Sequence, residues 1–491
     1  MAYGSLADFV RVLEERGELI RISDPVSTHL EITALADREM KSKDGGKALL
    51  IEKPVLRDGK ISQFPVLINA FGSHRRTALS IGQESIEPVV SQVAYLLKAK
   101  PPQTFTQAWE LLRNGINLIH TRPTRVRTGP CKEVIHLAGK DASFDLHKLP
   151  ILHCWPKDGG PFITLPNVYT VDPDTGTRNI GMYRMQVFDG WTTAMHWQIH
   201  KVAARHGKRY YETGTRMPVA VCLGGDPVLT FAATAPMPDG LDELLLAGFL
   251  RKKSIPLVQC ETIELEVPAE SDFVIEGYID PKEPLRDEGP FGDHTGFYTP
   301  VDQYPAFHVT AITHRRDAIY PATIVGRPPM EDFYLGTASV KLFLPVFQLN
   351  FPEIVDMALP AEGVFHNLVF VSIRKQYPWQ AYKVMHGLWG MGQMMFAKII
   401  VVVDAHVNVH DTSEVLFYLC ANVDPQRDTI FVKNPSDALD HAPSLVNMGS
   451  HLGIDATRKL PAEGYNRPWP EEIRMPEEVC KRVFEKVLRR W

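Results

Sequence analysis

The sequence predicts a mixed α/β protein built from several domains. Its 491 residues exceed what one hydrophobic core usually organises, so we expect about three domains. The first and last thirds alternate helical periodicity with short apolar runs, whereas the middle third carries many short strand signals separated by turns. With 44% hydrophobic and 23% charged residues, the composition is that of an ordinary globular protein.

Charge and cysteine content narrow the possible functions. The net charge is −5 and both signs are interspersed, so nothing indicates nucleic-acid binding or a polybasic membrane surface. The six cysteines are widely separated and form no CxxC pair, which argues against a disulfide framework and a cysteine-ligated zinc site. The first residues contain no apolar signal sequence, and the longest apolar run, 399–403, is too short to span a bilayer. These features predict a cytoplasmic protein.

Residues 1–125 are expected to form an α/β domain. Ser5 begins a capping box, a helix with one apolar face follows, and Gly17 ends it. We predict strands at residues 19–22, 48–51 and 66–68, and helices at 30–40, 87–97 and 106–112. No phosphate loop or dinucleotide fingerprint follows these strands, so the domain is interpreted as scaffold.

Residues 126–315 are expected to form a β-barrel with helical insertions. A stretch rich in Pro, Lys and His follows residue 125, and such a change in composition is typical of a domain boundary. Strands are predicted at residues 162–171, 179–187, 192–198, 219–222, 257–267, 273–279 and 307–313, and helices at 200–211 and 241–252.

Residues 316–450 are expected to form a second α/β domain, and residues 451–491 a tail. Aromatic and methionine side chains at near-helical spacing predict core packing ahead of a buried strand at 399–403: Trp379, Tyr382, Met385, Trp389 and Phe396. A last helix starts at Pro476 and has a broad apolar stripe of Val479, Val483, Phe484, Val487, Leu488 and Trp491. That stripe predicts docking on a neighbouring subunit.

The strongest candidate for chemistry is the stretch RDEGPFGDHTG at residues 286–296. Glu288 and Asp293 flank Gly-Pro-Phe-Gly, which is poor helix material, so the two acids are predicted on a constrained loop that lets them converge. Two carboxylates in a partly dry pocket repel each other, which would leave one protonated as an acid and the other ionised as a base. The alternative is a solvated turn.

A second set supplies hard donor atoms. Asn179, His200 and Glu243 offer an amide oxygen, an imidazole and a carboxylate, which suit Mg²⁺ or Mn²⁺ beside a phosphate. Each also has a plain interpretation, as a hairpin residue, a helix cap and a first-turn acid. Arg184 is either a solvent-facing strand residue or a buried cation for carboxylates, and Lys398 either faces a ligand or merely flanks a strand.

Motifs spread over nearly the whole chain resemble the UbiD family of decarboxylases, and most closely its branch acting on 4-hydroxy-3-polyprenylbenzoate. Several matches in the same order are far more specific than any one of them. In chain order they are SLADFVRVLEERGELIRI, HLEITALADR, PCKEVI, NIGMYRMQ, EGPFGDHTGFY, ITHRRDAIYPATIVGRPP, FPEIVDMALPAEG and GIDATRKLP.

The resemblance implies a prenylated flavin mononucleotide (prFMN) whose phosphate is bound through a divalent cation, Mn²⁺ or Mg²⁺, with a K⁺ ion nearby. Asn179, His200 and Glu243 fall on the family's metal ligands. Positions matched to cofactor contacts are Asn179, Ile180, Gly181, Met182, Tyr183, Arg184, Gln198, His200, Thr234, Ala235, Pro236, Glu243 and Lys398. Relatives can carry serines in the loop at residues 234–238, but Ala233 has no hydroxyl, so only Thr234 or backbone contacts carry over.

The resemblance also assigns catalytic positions. Arg184, Glu288 and Asp293 fall on the family's catalytic arginine and its two acids, with Asp293 expected to return the proton and Glu288 as the alternative. Many relatives have Glu where this chain has Asp293, and Asp is one methylene shorter. The implied architecture is an N-terminal α/β domain, a central split β-barrel like that of flavin reductases, and a C-terminal α/β domain with a tail helix used in dimers or hexamers.

The implied function is non-oxidative decarboxylation of an aromatic acid, most closely 4-hydroxy-3-polyprenylbenzoate to 2-polyprenylphenol in ubiquinone biosynthesis. A flavin prenyltransferase would supply the cofactor, and a prenylated substrate would bring the enzyme to the inner membrane surface. The nearest alternative is a reversible decarboxylase of small phenolic or aryl acids. An FMN-dependent oxidoreductase on the same barrel and a cofactor-free scaffold protein are alternatives from other classes.

Overall fold

A computed structural model describes residues 2–98, 121–141, 143–198, 200–237, 240–364 and 366–487. The helix predicted at residues 106–112 lies outside these ranges, as do Leu488 and Trp491 of the tail stripe.

The N-terminal elements follow the sequence pattern closely. Helix α1 (Leu6–Glu15) begins where the Ser5 hydroxyl accepts a hydrogen bond from the Asp8 amide, and Gly17 lies after its end at φ +68°. The following strands are β1 (Leu19–Ser27), β2 (Ala48–Val55) and β3 (Val66–Ile68), and the following helices are α2 (Glu31–Met40), α3 (His74–Ser80) and α4 (Glu87–Lys98). Helix α3 was not predicted, because its seven residues carry no apolar stripe for the pattern to show.

The central region forms an open antiparallel sheet. The strands of the whole region, of which the sheet contains only some, are β4 (Thr124–Arg125), β5 (Val134–Leu137), β6 (Phe162–Ile163), β7 (Asn167–Val171), β8 (Arg178–Met182), β9 (Met185–Asp189), β10 (Thr192–Ala194), β11 (Met217–Leu223), β12 (Pro256–Gln259), β13 (Glu266–Pro268), β14 (Phe273–Ile279), β15 (Arg286–Glu288), β16 (Phe291–Gly292), β17 (Tyr298–Thr299), β18 (Asp302–Tyr304) and β19 (Ala306–His314). Nine of them pair in the order β6-β9-β10-β19-β14-β11-β7-β8, with β5 beside β19. The curled sheet does not pair its two end strands, as expected for a split barrel.

The described residues of this region form three inserted α-helices: α5 (Val202–Thr213), α6 (Val228–Thr234) and α7 (Glu243–Arg251). Three of the strands predicted as continuous are each divided in two: β6 and β7 replace 162–171, β8 and β9 replace 179–187, and β12 and β13 replace 257–267. Pro166, which has no amide hydrogen to donate, lies between β6 and β7. Arg184 lies between β8 and β9, and its carbonyl instead accepts a hydrogen bond from the His196 amide.

The chain then returns to the N-terminal sheet. Strand β20 (Tyr320–Ala322) pairs in parallel with β3 and completes the four-stranded order β1-β2-β3-β20. Helix α8 (Glu331–Asn350) leads from there into the last sheet. The remaining elements are β21 (Ile354–Ala358), β22 (Leu368–Ile373), α9 (Gln380–Trp389), β23 (Ile399–Asp404), α10 (Thr412–Asn422), β24 (Thr429–Pro435), β25 (Met448–Asp455) and α11 (Glu477–Val487).

Strand β23 lies at the centre of the C-terminal sheet, whose order is β21-β22-β23-β25-β24. It is parallel to both neighbours, and such strands are covered on both faces, which explains its continuous apolar sequence. Met385 and Trp389 pack in the core of this domain, as predicted. Trp379 does not, because it precedes α9 in a left-handed conformation and is 69% exposed.

Helix α11 carries the predicted tail stripe. Val483, Phe484 and Val487 are 44%, 56% and 48% exposed, so the described chain leaves this apolar face largely uncovered. In the described part of the chain, no helix combines the length and the apolar character needed to cross a membrane.

Candidate active site

Arg184 brings the two acids of the motif together. Its Nε donates to Oε1 of Glu288 at 2.8 Å, its Nη2 donates to Oε2 of the same carboxylate at 3.0 Å, and its Nη1 donates to Oδ2 of Asp293. The Arg184, Glu288 and Asp293 side chains are only 9%, 0% and 8% exposed. The three predicted catalytic residues therefore form one buried ionic cluster, and Arg184 is not solvent-facing.

The sequence suggested that the motif is a plain loop, but most of its first half forms part of two short β-ribbons. Residues 286–288 form β15, which pairs with β18, and residues 291–292 form β16, which pairs with β17. Gly289 joins these ribbons at φ +99°, a conformation that other residues rarely adopt.

Hydrogen bonds from elsewhere in the barrel hold the ribbons in place. Asp158 accepts from the Gly292 amide at 2.8 Å, and Gln186 accepts from the Gly289 amide at 2.7 Å. The packing is also close, since a Cβ on Gly292 would lie 2.3 Å from Cδ1 of Trp155. The acids are thus fixed by tertiary contacts rather than by local sequence.

The expectation that mutual repulsion protonates one acid is wrong for this arrangement. Burial works to raise the pKa of Glu288, but hydrogen bonds from His196 and Arg184 outweigh it and lower the pKa to about 2. Burial opposes ionisation of Asp293 as well, yet the Arg184 charge and hydrogen bonds from His294 hold its pKa below the usual range. A cation between the two acids replaces repulsion by attraction, so both are ionised at neutral pH.

Three further residues lie close to Arg184 or to its partner Glu288 and were not predicted. Thr299 accepts from Nη2 at 3.3 Å, the Phe291 ring centroid lies 4.7 Å from the guanidinium carbon, and His196 Nδ1 lies 3.3 Å from Oε2 of Glu288. Phe291 lies inside the motif and Thr299 lies shortly after it, so their closeness in sequence to Glu288 and Asp293 could have marked them as residues of the site. The sequence around His196 contains nothing that indicates its contact with Glu288.

Two histidines extend the cluster away from Arg184. His294 donates its backbone amide to Oδ1 of Asp293 at 2.7 Å, and its ring Nδ1 lies 2.9 Å from the same oxygen. His294 Nε2 lies 2.8 Å from Nε2 of His366, which in turn lies 3.9 Å from Asp437. His294 directly follows Asp293 in the motif, whereas His366 and Asp437 come from distant sequence.

The predicted metal ligands Asn179 and Glu243 lie on neighbouring elements. Asn179 is on β8, and Glu243 begins α7 and accepts from the Ile180 amide at 2.9 Å. An ion pair of 3.0 Å between Arg178 and Asp242 fixes the start of α7 against β8. Burial raises the pKa of Glu243 to about 7, so this carboxylate lacks a full counter-charge in the described chain.

His200 lies just before α5, with its ring 5.6 Å from that of Phe396. Its Nε2 and the Nδ2 of Asn179 are buried and have no hydrogen-bond partner among the described residues. The described ranges contain no group of three His, Cys, Asp or Glu side chains placed to hold a metal, so a cation here would need the Asn179 amide or a ligand oxygen as well. The buried imidazole nitrogen of His200 and the Glu243 carboxylate suit a cation, whereas Nδ2 of Asn179 is a donor that suits a phosphate oxygen, so only the amide oxygen of Asn179 could bind a metal.

Seven of the other predicted cofactor positions divide between two places. Ile180, Gly181, Met182 and Tyr183 form the end of β8 and the turn to Arg184, and burial raises the pKa of Tyr183 to about 12. Thr234 ends α6 and donates its hydroxyl to the Phe231 carbonyl at 2.8 Å, with Ala235 and Pro236 after it.

Gln198 and Lys398 contact the segment 437–440 of the C-terminal domain. Gln198 Nε2 donates to Asp437 at 3.3 Å, and Lys398 Nζ lies 2.6 Å from Asp440. Lys398 is thus neither free nor a plain flanking charge, because its ion pair holds Asp440 beside the start of β23 within the C-terminal domain.

Three family descriptions match the chain in order. They are the N-terminal domain (residues 10–95), the Rift-related domain (residues 123–328) and the C-terminal domain (residues 333–456) of 3-octaprenyl-4-hydroxybenzoate carboxy-lyase. The chain therefore belongs to the UbiD family. It is a carboxy-lyase, that is, a decarboxylase.

Particular relatives cover almost the full chain. Uncharacterized proteins of Aquifex aeolicus and Archaeoglobus fulgidus are 48% and 47% identical, each over 98% of both chains. The vanillic acid decarboxylase of Sedimentibacter hydroxybenzoicus in its closed form is 26% identical, with a TM-score of 0.85 over 99% of both chains. The UbiD-class enzyme HmfF of Pelotomaculum thermopropionicum, solved with FMN, is also 26% identical, with a TM-score of 0.79 over 98% of both chains. An evolved dimeric form of HmfF was solved with prFMN.

Proposed function

We propose that this protein catalyses the non-oxidative, prFMN-dependent decarboxylation of a hydroxylated aromatic acid. The observation that carries the proposal is the buried cluster in which Arg184 is held between two ionised carboxylates, Glu288 and Asp293. Membership of a decarboxylase family and similarity to an enzyme solved with prFMN support it.

The reaction replaces a carboxylate by a proton: R–COO⁻ + H⁺ gives R–H + CO₂. An aryl carbon has no adjacent carbonyl to accept the electron pair, so the bound prFMN would supply the electron sink. The work left to the side chains is to bind the acid and to move one proton.

Arg184 would orient the substrate carboxylate. Arginine has five N–H donors, and described residues accept from Nε, twice from Nη2 and once from Nη1. One Nη1 hydrogen remains to donate to a substrate oxygen, and the fixed guanidinium keeps that donor in place. Glu288 holds Arg184 charged and oriented by its two hydrogen bonds.

Asp293 would hand the proton to the substrate carbon. Its Oδ2 accepts from Arg184, and its Oδ1 accepts from His294, so it lies between a positioned cation and a proton donor. The shorter Asp side chain, compared with the Glu of many relatives, is compensated in our proposal by these two contacts, which fix the carboxylate. Glu288 is the alternative donor, but both of its oxygens accept from Arg184.

The cofactor phosphate would be held by a divalent cation, Mn²⁺ or Mg²⁺. Asn179, His200 and Glu243 provide its protein ligands, and the phosphate completes the hard-oxygen set that such ions prefer. The amino end of α7, which begins at Glu243, favours an anion. The carbonyl groups at the end of α6, by Thr234, Ala235 and Pro236, favour a cation, and there we place K⁺.

For the substrate we propose 4-hydroxy-3-polyprenylbenzoate, which would yield 2-polyprenylphenol. The match to 3-octaprenyl-4-hydroxybenzoate carboxy-lyase over three consecutive domains supports this choice. A small phenolic acid is the second candidate, and similarity to vanillic acid decarboxylase favours it. In either case a flavin prenyltransferase is the cofactor-supplying partner.

The test is to express the chain with and without a flavin prenyltransferase, then measure bound-cofactor mass, absorbance and metal content. CO₂ release is then measured with vanillate, 4-hydroxybenzoate and 4-hydroxy-3-polyprenylbenzoates of different chain length. We expect prFMN, a divalent metal and CO₂ release only after co-expression. A protein that binds unmodified FMN alone and oxidises NAD(P)H without releasing CO₂ would contradict the proposal.

A further inference from the structure

His294 occupies a position between the catalytic cluster and a second buried histidine. Its side chain is 12% exposed, and its two ring nitrogens face different groups. Nδ1 lies 2.9 Å from a carboxylate oxygen of Asp293, and Nε2 lies 2.8 Å from Nε2 of His366.

These contacts determine which nitrogen carries a proton. The ionised Asp293 can only accept, so Nδ1 of His294 must donate to it. In the contact between His294 and His366 one Nε2 donates and the other accepts. If His294 is the donor there, both of its nitrogens carry hydrogen and its ring is an imidazolium.

The charges nearby favour that form. Arg184 contributes +1 to the buried cluster, while Glu288 and Asp293 contribute −2, so the three together carry −1 in a place where an uncompensated charge is costly. A charged His294 makes the cluster neutral. Burial works to lower the pKa of His294, but the Asp293 carboxylate outweighs it and raises the pKa above its usual value.

Charged groups on other elements also raise the pKa of His294. Asp332, in the first turn of α8, and Asp437, in the C-terminal domain, both raise the pKa of His294. Burial and the His294 charge lower the pKa of His366 more than Asp437 and Asp440 raise it, so His366 is neutral and its Nε2 can accept from His294. Lys201 lowers the pKa of both His366 and Asp437, and it therefore opposes a second charged histidine there.

We propose that His294 is the proton store of the active site, a positioning residue that supplies the proton Asp293 transfers to the substrate. The inference rests on the proposed function, in which each turnover consumes one proton. His294 passes its Nδ1 proton to Oδ1 of Asp293, and Asp293 passes a proton to the carbon that loses CO₂. After product leaves, one proton is taken up from bulk solution through Asp293 to Nδ1 of His294, which restores the starting state and accounts for the one H⁺ consumed in each turnover.

The first test measures the protonation state of His294 and needs no turnover. Ring signals of histidine labelled with ¹⁵N are followed against pH in the wild-type protein without cofactor, and His294→Asn identifies the His294 signals. We expect His294 to titrate at a higher pH than free histidine in the same buffer, and we expect Asp293→Asn to remove the elevation. A midpoint at or below that of free histidine would overturn the proposal.

The second test compares His294→Asn with wild type in the cofactor-loaded enzyme. Asparagine keeps an N–H near Nδ1 but cannot release a proton. We expect kcat to fall about 10–100-fold with KM within twofold, because one proton-transfer partner is lost. The pH profile should also change shape: wild type loses activity as pH rises through the His294 pKa, whereas the variant gains activity only as pH falls and Asp293 takes protons from water.

His441→Asn is the matched control, since His441 is exposed and contacts Phe297 rather than Asp293. We expect the control to keep the wild-type rate and profile. A His294→Asn loss that is equal at every pH indicates a structural role and overturns the proposal, as does an unchanged rate. A wild type that decarboxylates no acid refutes the proposed function instead, and the nitrogen titration then still decides the charge on His294.

Discussion

Arg184 determines the protonation state of the two acids that it contacts, Glu288 and Asp293. Without it, Glu288 and Asp293 would be two buried like charges, and one would hold a proton. With three of its nitrogens donating to them, both carboxylates are ionised and the resting cluster stores no proton on an acid. The proton needed for turnover must therefore arrive at Asp293 from another group.

Replacing Asp293 by Asn should abolish most turnover while leaving cofactor binding intact. The amide keeps the size of the side chain but cannot carry a proton to carbon, and loss of such a group costs about 10²–10⁴-fold in rate. CO₂ release and flavin content are measured on the same preparation. Asp287→Asn is the control, because Asp287 is exposed on the same ribbon, and it should retain full activity. Equal losses in both variants would contradict the role of Asp293.

Glu288 should make a pH-dependent contribution to stability. Its folded-state pKa of about 2 lies below the ordinary carboxyl value, so its stabilising effect is complete above that ordinary value and is lost as pH falls toward 2. At pH 7, Glu288→Gln should lower the free energy of unfolding by about 3 kcal/mol, because it removes one partner of a buried ion pair.

Urea unfolding of both proteins from pH 7 to pH 3 checks this expectation. The difference in unfolding free energy between wild type and Glu288→Gln should become smaller as the pH falls, since a protonated Glu resembles Gln. A gap that stays constant or widens would show that the carboxylate is not ionised in the folded state.

The short ribbons β15–β18 and β16–β17 position both acids, although neither would be stable alone. Two or three residues of pairing gain little, and the structure relies on Asp158 and Gln186 to hold their amides. Gly292 packs closely against Trp155, and Gly289 packs closely against Gly159. These contacts fix the position of the ribbons.

A Cβ added within this packing should therefore disturb the site. Gly292→Ala would place a methyl group 2.3 Å from Trp155, so the ring or the ribbon must move. We expect a loss of about 1–3 kcal/mol in unfolding free energy and a lower kcat. Gly390→Ala is the control, because its nearest neighbour would lie at an ordinary 3.5 Å. Thermal unfolding and CO₂ release are measured for both variants. Equal stability and equal activity of Gly292→Ala and Gly390→Ala would argue against close packing at residue 292.

The start of α7 should control metal and flavin content. Glu243→Gln keeps the side-chain shape and removes the charge that a divalent cation needs, so purified protein should lose most bound metal and cofactor. Elemental analysis and flavin absorbance measure both. Glu212→Gln, on an exposed part of α5, should retain them. Full metal content in Glu243→Gln would remove Glu243 from the ligand set.

The elements that could be predicted from sequence are those with strong local signals. The cap at Ser5 and the apolar face of α1 predicted that helix, and β3 and the buried strand β23 were located from their apolar runs. The ribbons of the motif were missed because distant hydrogen bonds, not propensity, create them. Trp379 matched a helical stripe by spacing, yet its backbone conformation directs it to solvent.

The candidate site shows the same division. Arg184, Glu288 and Asp293 were selected with the help of family motifs, and the structure brings them together. The pattern offered no means of finding that His196 reaches Glu288 or that His366 meets His294, because these partners are 92 and 72 residues apart in sequence. Without those contacts, the charge balance of the cluster could not be worked out from sequence.

The complete site requires both the barrel and the C-terminal domain. Asp437 of the C-terminal domain accepts a hydrogen bond from Gln198 of the barrel, and His366 of the C-terminal domain contacts His294 of the barrel. The N-terminal sheet contributes indirectly, because β20 pairs with β3 and so anchors the chain that follows the barrel.

The tail helix should mediate assembly with a second copy of this chain. Val483, Phe484 and Val487 are about half exposed on α11, and burying them against a partner would remove apolar surface from water. Phe484→Asp should reduce the mass measured by light scattering after size exclusion. Arg482→Asp, on the same helix, is the control and should assemble normally. An unchanged mass for Phe484→Asp would exclude this face from the interface.

Product analysis in D₂O tests the decarboxylase account most directly. The cofactor-loaded protein is incubated with a hydroxybenzoate that it accepts, and the product is examined by mass and NMR. We predict release of CO₂ and one deuterium at the ring carbon that carried the carboxylate, without consumption of NAD(P)H. A loaded protein that releases no CO₂ from any acid tested, or that oxidises NAD(P)H instead, would contradict the account.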